Sequence, residues 1–226
     1  EDVFDIREDE FTLPGQPFVP PVSTLPQITI ADVSVDEGDG VLFGGAQTFG
    51  FASTTNLGDA ASADFNGDGF IDIATVDIST NQVRILLGNG DGTFGGTISA
   101  TSTQDMERLA IGDFDSDGDV DIATANSFDD TVSFLINNGV GGFAEQQVLS
   151  LGTNIFNAED IQVGDIDNDG DLDVVVVNDS FGVSRLVAFE NTGAGFFATA
   201  RSLATVSIAA NQLQLADVNN DGALDA

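Results

Sequence analysis

One hydrophobic pattern recurs along the chain. Residues 172–178, Leu-Asp-Val-Val-Val-Val-Asn, are apolar at almost every position. So short a run predicts a strand buried on both faces. Residues 73–78 and 122–126 repeat the pattern. Shorter strand-like stretches flank the third copy: 160–166 before it, and 183–190 and 196–204 after it. Near the N-terminus, residues 28–35 alternate apolar and polar, as a strand with one buried face does. No helical period of useful length interrupts this.

Glycine turns punctuate the strands. They read Gly38-Asp-Gly, Gly88-Asn-Gly-Asp-Gly, Asn137-Asn-Gly and Asn191-Thr-Gly. Asn and Gly accept positive φ at low cost, so these are hairpin signals. A phenylalanine follows each: Phe43, Phe94, Phe143 and Phe196. A four-stranded unit of about 50 residues is the size of one propeller blade. The expectation is an all-β propeller of four-stranded antiparallel blades with about four repeats present, as a partial ring or one completed between molecules. Residues 32–226 would form the repeats, and residues 1–31 an acidic, proline-rich extended arm or linker. All five prolines lie between Pro14 and Pro26.

The polar positions carry the chemistry. Between the first two strands of each unit stands an acidic loop, and the clearest is Asp165-Ile-Asp-Asn-Asp-Gly-Asp-Leu-Asp. Numbering from Asp165, acids fall at positions 1, 3, 5 and 9, and Gly170 stands at position 6. Carboxylates this close repel unless a cation lies between them. Alternating carboxylates followed by a glycine turn form the first half of an oxygen-ligand calcium loop. The copies start at Asp64, Asp113, Asp165 and Asp217, in steps of 49, 52 and 52 residues. The candidate ligands are Asp64, Asn66, Asp68 and Asp72; Asp113, Asp115, Asp117 and Asp121; Asp165, Asp167, Asp169 and Asp173; and Asp217, Asn219, Asp221 and Asp225. Position 0 is always small, and positions 2 and 8 are always apolar. Those apolar side chains are expected to anchor the loop in a core.

Residues 64–74, Asp-Phe-Asn-Gly-Asp-Gly-Phe-Ile-Asp-Ile-Ala, lead on to 83–94, Val-Arg-Ile-Leu-Leu-Gly-Asn-Gly-Asp-Gly-Thr-Phe. With their copies, they resemble the FG-GAP/VCBS-type repeats of integrin-like calcium-binding β-propellers. The resemblance implies about four Ca²⁺ ions, one per loop. It also implies that position 7 (Phe70, Asp119, Asp171 and Ala223) contributes a backbone carbonyl. Position 12 holds no glutamate and strands flank the loops, so these are not EF-hands. Hard oxygen donors without His or Cys favour calcium over zinc or copper.

Composition narrows the functions further. The chain has 226 residues, 38 acids against five basic residues and a formal net charge of −33. That balance argues against nucleic acid and anionic membranes as partners and fits cations or a saline exterior. Residues of types A, V, I, L, M, F, W, Y and C make up 42%, enough for a core. No segment reaches the ~18 apolar residues of a membrane span. Without His, Lys, Cys or Tyr, the usual triads, Schiff bases and thiol nucleophiles are excluded. The carboxylates that might serve a glycosidase are already accounted for as calcium ligands. The arginines Arg84, Arg108, Arg185 and Arg201 read as structural residues on strands.

The expected function is therefore non-enzymatic: an extracellular or cell-surface structural or adhesive calcium-binding module, with a subunit or segment of a surface fibre as one form of it. The alternative is a lectin-like propeller that binds a carbohydrate or protein ligand, although no Trp or Tyr offers a stacking platform. Three arrangements would complete the blade that begins at loop 217–225. They are further blades, a strand from residues 27–35 closing a four-bladed ring, or self-association through the N-terminal arm or an open sheet edge.

Overall fold

The computed structural model describes residues 28–30, 47–49, 56–152, 157–180, 182–206, 209–219 and 224. Most of the expected arm, the Gly38 hairpin and the ligands Asp221, Ala223 and Asp225 lie outside the described residues. Strand β1 (Ile28–Ile30) pairs antiparallel with β2 (Gln47–Phe49). Three four-stranded sheets follow. The first holds β3 (Leu57–Ala63), β4 (Asp72–Asp77), β5 (Gln82–Gly88) and β6 (Phe94–Thr101). The second holds β7 (Arg108–Gly112), β8 (Asp121–Asn126), β9 (Thr131–Asn137) and β10 (Phe143–Ser150). The third holds β11 (Ala158–Gly164), β12 (Asp173–Ser180), β13 (Val183–Phe189) and β14 (Arg201–Val206).

Within each sheet the strands neighbour one another in chain order, and every pairing is antiparallel. No helix occurs among the described residues. The fold is all-β and propeller-like: three meander blades stacked in sequence, with the first strands β3, β7 and β11 adjacent. In a meander, the connection between strands one and two emerges at the same end as that between strands three and four. The acidic loop and the glycine hairpin of each blade therefore share one edge. The register closes the acidic loop where position 0 faces position 9: Ala63 opposite Asp72, Gly112 opposite Asp121 and Gly164 opposite Asp173.

The apolar runs are explained by their two faces. Strands β4, β8 and the first six residues of β12 are buried throughout. In the middle blade, Ile122 and Leu135 join Phe65, Ala74, Val76, Val83 and Ile85 of the first blade in one core. Ala123, Ala125, Val132 and Phe134 face the other way and join Val174, Val176, Val187 and Phe189 of the third. A strand between two neighbours has no wet face, so alternation disappears from its sequence.

Aromatic contacts pin adjacent blades at the loop end. Phe143 of the second blade packs on Phe65 of the first, with ring centroids 6.2 Å apart. Phe197 of the third meets Phe114 edge-on at 5.5 Å and stacks on Phe134 at 3.7 Å. The third post-hairpin phenylalanine is therefore Phe197, 5% exposed, not Phe196, which is 52% exposed. The spacing shows why: Phe94, Phe143 and Phe197 each lie six residues after Gly88, Asn137 and Asn191. Strand β14 also starts later than expected, at Arg201.

Position 2 anchors as expected in Phe65 and Phe114, which are buried, and less fully in the half-buried Ile166. Position 8 does so through the preceding blade. A Cβ on Gly112 would meet Leu172 Cδ1 at 3.0 Å, and one on Gly164 would meet Leu224 Cδ1 at 2.6 Å. The small residue at position 0 is thus the seat for the next blade's position 8. Ile71 has no such seat among the described residues, and it is 60% exposed.

At the inner strands, a second set of contacts ties the blades. Arg108 Nε donates to Glu159 O at 2.9 Å, and Asp160 Oδ2 accepts from Leu213 N at 2.8 Å. Arg84 Nε pairs with the buried Asp77 at 2.7 Å, and Arg201 pairs with Glu190 at 2.5 Å. These three arginines have the structural roles expected of them.

Phe134 sits fully buried between two blades. Phe134→Ala should destabilise the protein by about 3–5 kcal/mol, read from denaturant unfolding. A loss below about 1 kcal/mol would mean that the two blades do not share this core.

Candidate metal centres

Each acidic loop is shaped by its own carboxylates. Asp113 accepts from the amides of Asp117 (3.1 Å) and Gly118 (3.0 Å). Asp165 does the same with Asp169 (3.2 Å) and Gly170 (3.1 Å), and Asp64 with Gly67 (2.8 Å) and Gly69 (2.7 Å). At position 5, Asp68, Asp117 and Asp169 accept from the amide two residues on, at 2.9 to 3.0 Å. Turning the loop this tightly requires positive φ at Gly69 (86°), Gly118 (97°) and Gly170 (100°). A Cβ there would meet nothing within 4 Å, so backbone conformation rather than space demands glycine. Position 4 is also left-handed, at Gly67, Ser116 and Asn168. The sequence does not mark that position in every copy, because Ser116 is not of a residue type that signals positive φ.

Position 9 is the least exposed. Asp72, Asp121 and Asp173 are all fully buried. One carboxylate oxygen of each accepts from the position 2 amide: Phe65 N at 3.0 Å, Phe114 N at 2.8 Å and Ile166 N at 2.9 Å. The other accepts from the first residue of the glycine hairpin: Gly88 N, Asn137 N or Asn191 N, each at 2.8 Å.

The sequence-predicted ligands converge in two loops. One carboxylate oxygen each from Asp113, Asp115 and Asp117 lie within 4.8 Å of one another, and so do those of Asp165, Asp167 and Asp173. Asp121 and Asp169 stand outside these two groups. Asp115 Oδ1 is buried and finds no hydrogen-bond donor among the described residues. An orphaned carboxylate oxygen between two further carboxylates is the environment that a bound cation would satisfy. These Asp clusters fit a hard divalent metal ion. In loop 64–72, Asn66 Nδ2 donates to Asp68 Oδ2 at 3.0 Å, so part of that loop is satisfied internally. Position 7 side chains turn to the blade's own hairpin: a Cβ on Gly90 would strike the Phe70 ring, and one on Gly139 the Asp119 carboxylate. From the fourth loop, the structure describes Asp217 and Asn219.

A model of the FG-GAP-like repeat matches residues 64–124, 113–176 and 165–226. The chain belongs to the FG-GAP-like repeat family. Each matched window opens on position 1 of an acidic loop and runs past the next loop, so the family unit spans the contact between neighbouring blades. No curated protein matches the chain. Among solved structures, the chain is similar to one described as a crystal structure of BBS1N in complex with ARL6DN, soaked with mercury. That likeness has 12% identity and a TM-score of 0.36, and it covers 72% of this chain and 58% of the other.

The electrostatics of the FG-GAP-like loops record crowding. Burial pushes the Asp121 carboxyl up to about 6; hydrogen bonds from Asn137 and Phe114 oppose the rise, and the charges of Asp115 and Asp117 add to it. Burial and the Asp117 charge raise Asp115. Asp173 is raised by burial, with Asp167 and Asp169 adding. Burial also acts to raise Asp64, but backbone amides led by Gly69 outweigh it, and its pKa is lowered.

The sign for Asp121 follows from linkage. Its folded pKa of about 6 exceeds the ordinary 3.8, so between these values the folded state binds more protons than the unfolded chain. Metal-free protein should therefore lose stability as pH rises from about 4 to about 6. Asp121→Asn should flatten that slope. Melting in chelator across this pH range measures both, and equal slopes would refute the assignment.

Proposed function

We propose that this chain is a calcium-binding structural or adhesive repeat module of an extracellular or cell-surface protein. The observation that carries the reading is the triad Asp113, Asp115 and Asp117 with the unsatisfied Asp115 Oδ1. Calcium is the ion of choice because every available donor is a hard oxygen, in loops of irregular shape. Loops 64–72, 113–121 and 165–173 each take one ion through positions 1, 3, 5 and 9 and the position 7 carbonyl, and loop 217–225 takes a fourth. Family membership supports the same reading. Location follows from supply: loops of this kind need a calcium concentration that the cell exterior provides. The net charge of −33 suits a saline medium. Among the described residues no helix is long and apolar enough to cross a membrane, which says nothing of β-barrel spans.

Calcium at ~100 times its dissociation constant stabilises a fold by roughly 2.7 kcal/mol per site. Excess chelator should lower the melting temperature, and calcium but not magnesium should restore it. A melt indifferent to chelator would sink the calcium reading. Asp169→Ala should weaken calcium binding at its loop more than Asp171→Ala does, because position 7 offers only its carbonyl; equal effects would refute the ligand assignment.

A further inference from the structure

Asn137 and Asn191 open the glycine hairpins of the second and third blades, and they are only 4% and 3% exposed. At that burial each amide hydrogen needs a protein acceptor. Asn137 Nδ2 donates to Val120 O of its own acidic loop at 3.0 Å and to Phe65 O of the preceding blade's loop at 2.9 Å. Asn191 Nδ2 repeats this with Leu172 O at 3.2 Å and Phe114 O at 2.8 Å. The amide oxygens are also engaged, by Gly139 N at 3.2 Å and Gly193 N at 3.0 Å. Val120 and Leu172 directly precede the position 9 acids of their own loops. Phe65 and Phe114 lie between positions 1 and 3 of the preceding loops. One carboxamide thus holds a ligand-bearing peptide in each of two neighbouring loops.

The surroundings leave little slack. A Cβ on Gly67 would stand 2.8 Å from Gly139 O, and one on Gly195 would stand 3.3 Å from Asp115 Cβ. Each hairpin is therefore pressed against the acidic loop of the blade before it. The first blade supplies an internal contrast: the equivalent residue is Gly88, and any Cβ there would overlap Ile71 O.

We infer that Asn137 and Asn191 are positioning residues that couple adjacent calcium loops, so that filling one raises the affinity of its neighbour. The inference rests on the calcium reading above. A buried amide that bridges two loops has one arrangement that satisfies both. An ion that orders one loop fixes the amide and removes part of the ordering cost from the other. Asn191 links loops 113–121 and 165–173, and Asn137 links loops 64–72 and 113–121.

A double-mutant cycle read by two-dimensional NMR tests this. The amides of Gly69, Gly118 and Gly170 sit inside the three loops and report calcium at each separately. Disabling loop 165–173 by Asp165→Ala with Asp169→Ala should raise the calcium midpoint at Gly118 by about fivefold or more. In an Asn191→Ala background the same change should move it less than about twofold. Equal shifts in both backgrounds, or no shift with Asn191 present, would overturn the coupling while leaving calcium binding intact. Absence of any calcium response at all three glycines would instead overturn the calcium reading and this inference with it. Should Asn191→Ala fail to fold, Asn137→Ala supplies the same cycle, read at Gly69 with loop 113–121 disabled by Asp113→Ala and Asp117→Ala.

Discussion

The structure depends on a buried carboxylate that holds two backbone segments together. Asp72, Asp121 and Asp173 each take one amide from the start of the acidic loop and one from the start of the glycine hairpin. A buried charge is tolerated only when its oxygens are satisfied, and the two segments satisfy them. The loop end of each of the three described blades is therefore closed by the residue that ends its acidic loop.

From this clamp the stacking of the blades follows. It fixes the hairpin, the hairpin carries Phe143 or Phe197, and these rings cover Phe65 or Phe114 of the preceding blade. The buried amides of Asn137 and Asn191 close the same gap with hydrogen bonds, while Arg108 and Asp160 tie the blades at the inner strands. Neighbouring blades are thus joined at the loop edge and at the inner strands, with apolar side chains between. Each unit contacts its neighbours, as expected of a repeat array whose stability accrues at interfaces.

Much of this was legible in the residues because repetition multiplies weak signals. One such acidic stretch is a turn with acids, whereas four at a period near 50 residues, three of them followed by an apolar strand and a glycine hairpin, specify a blade. A single repeat does not show its register. Phe196 comes first after the turn, but the register carried by Asn191 puts Phe197 in the core. Ile71 is expected in a core, but its half-buried counterparts Leu172 and Leu224 pack on a preceding blade's small residue rather than within their own loop.

Strand content, blade size and the candidate ligands were legible in the residues alone. All of these are local or periodic, set by alternation, glycine at positive φ and carboxylates at fixed spacing. Only the tertiary structure decided which carboxylates converge, that position 9 is a buried clamp, and that Asn137 and Asn191 span two loops. The bridging by Asn137 and Asn191 depends on groups more than 70 residues apart, as Asn137 and Phe65 are. In sequence, an asparagine that begins a hairpin is the same whether its amide meets water or two carbonyls from different blades. Burial makes the difference, and burial is a property of the assembled stack.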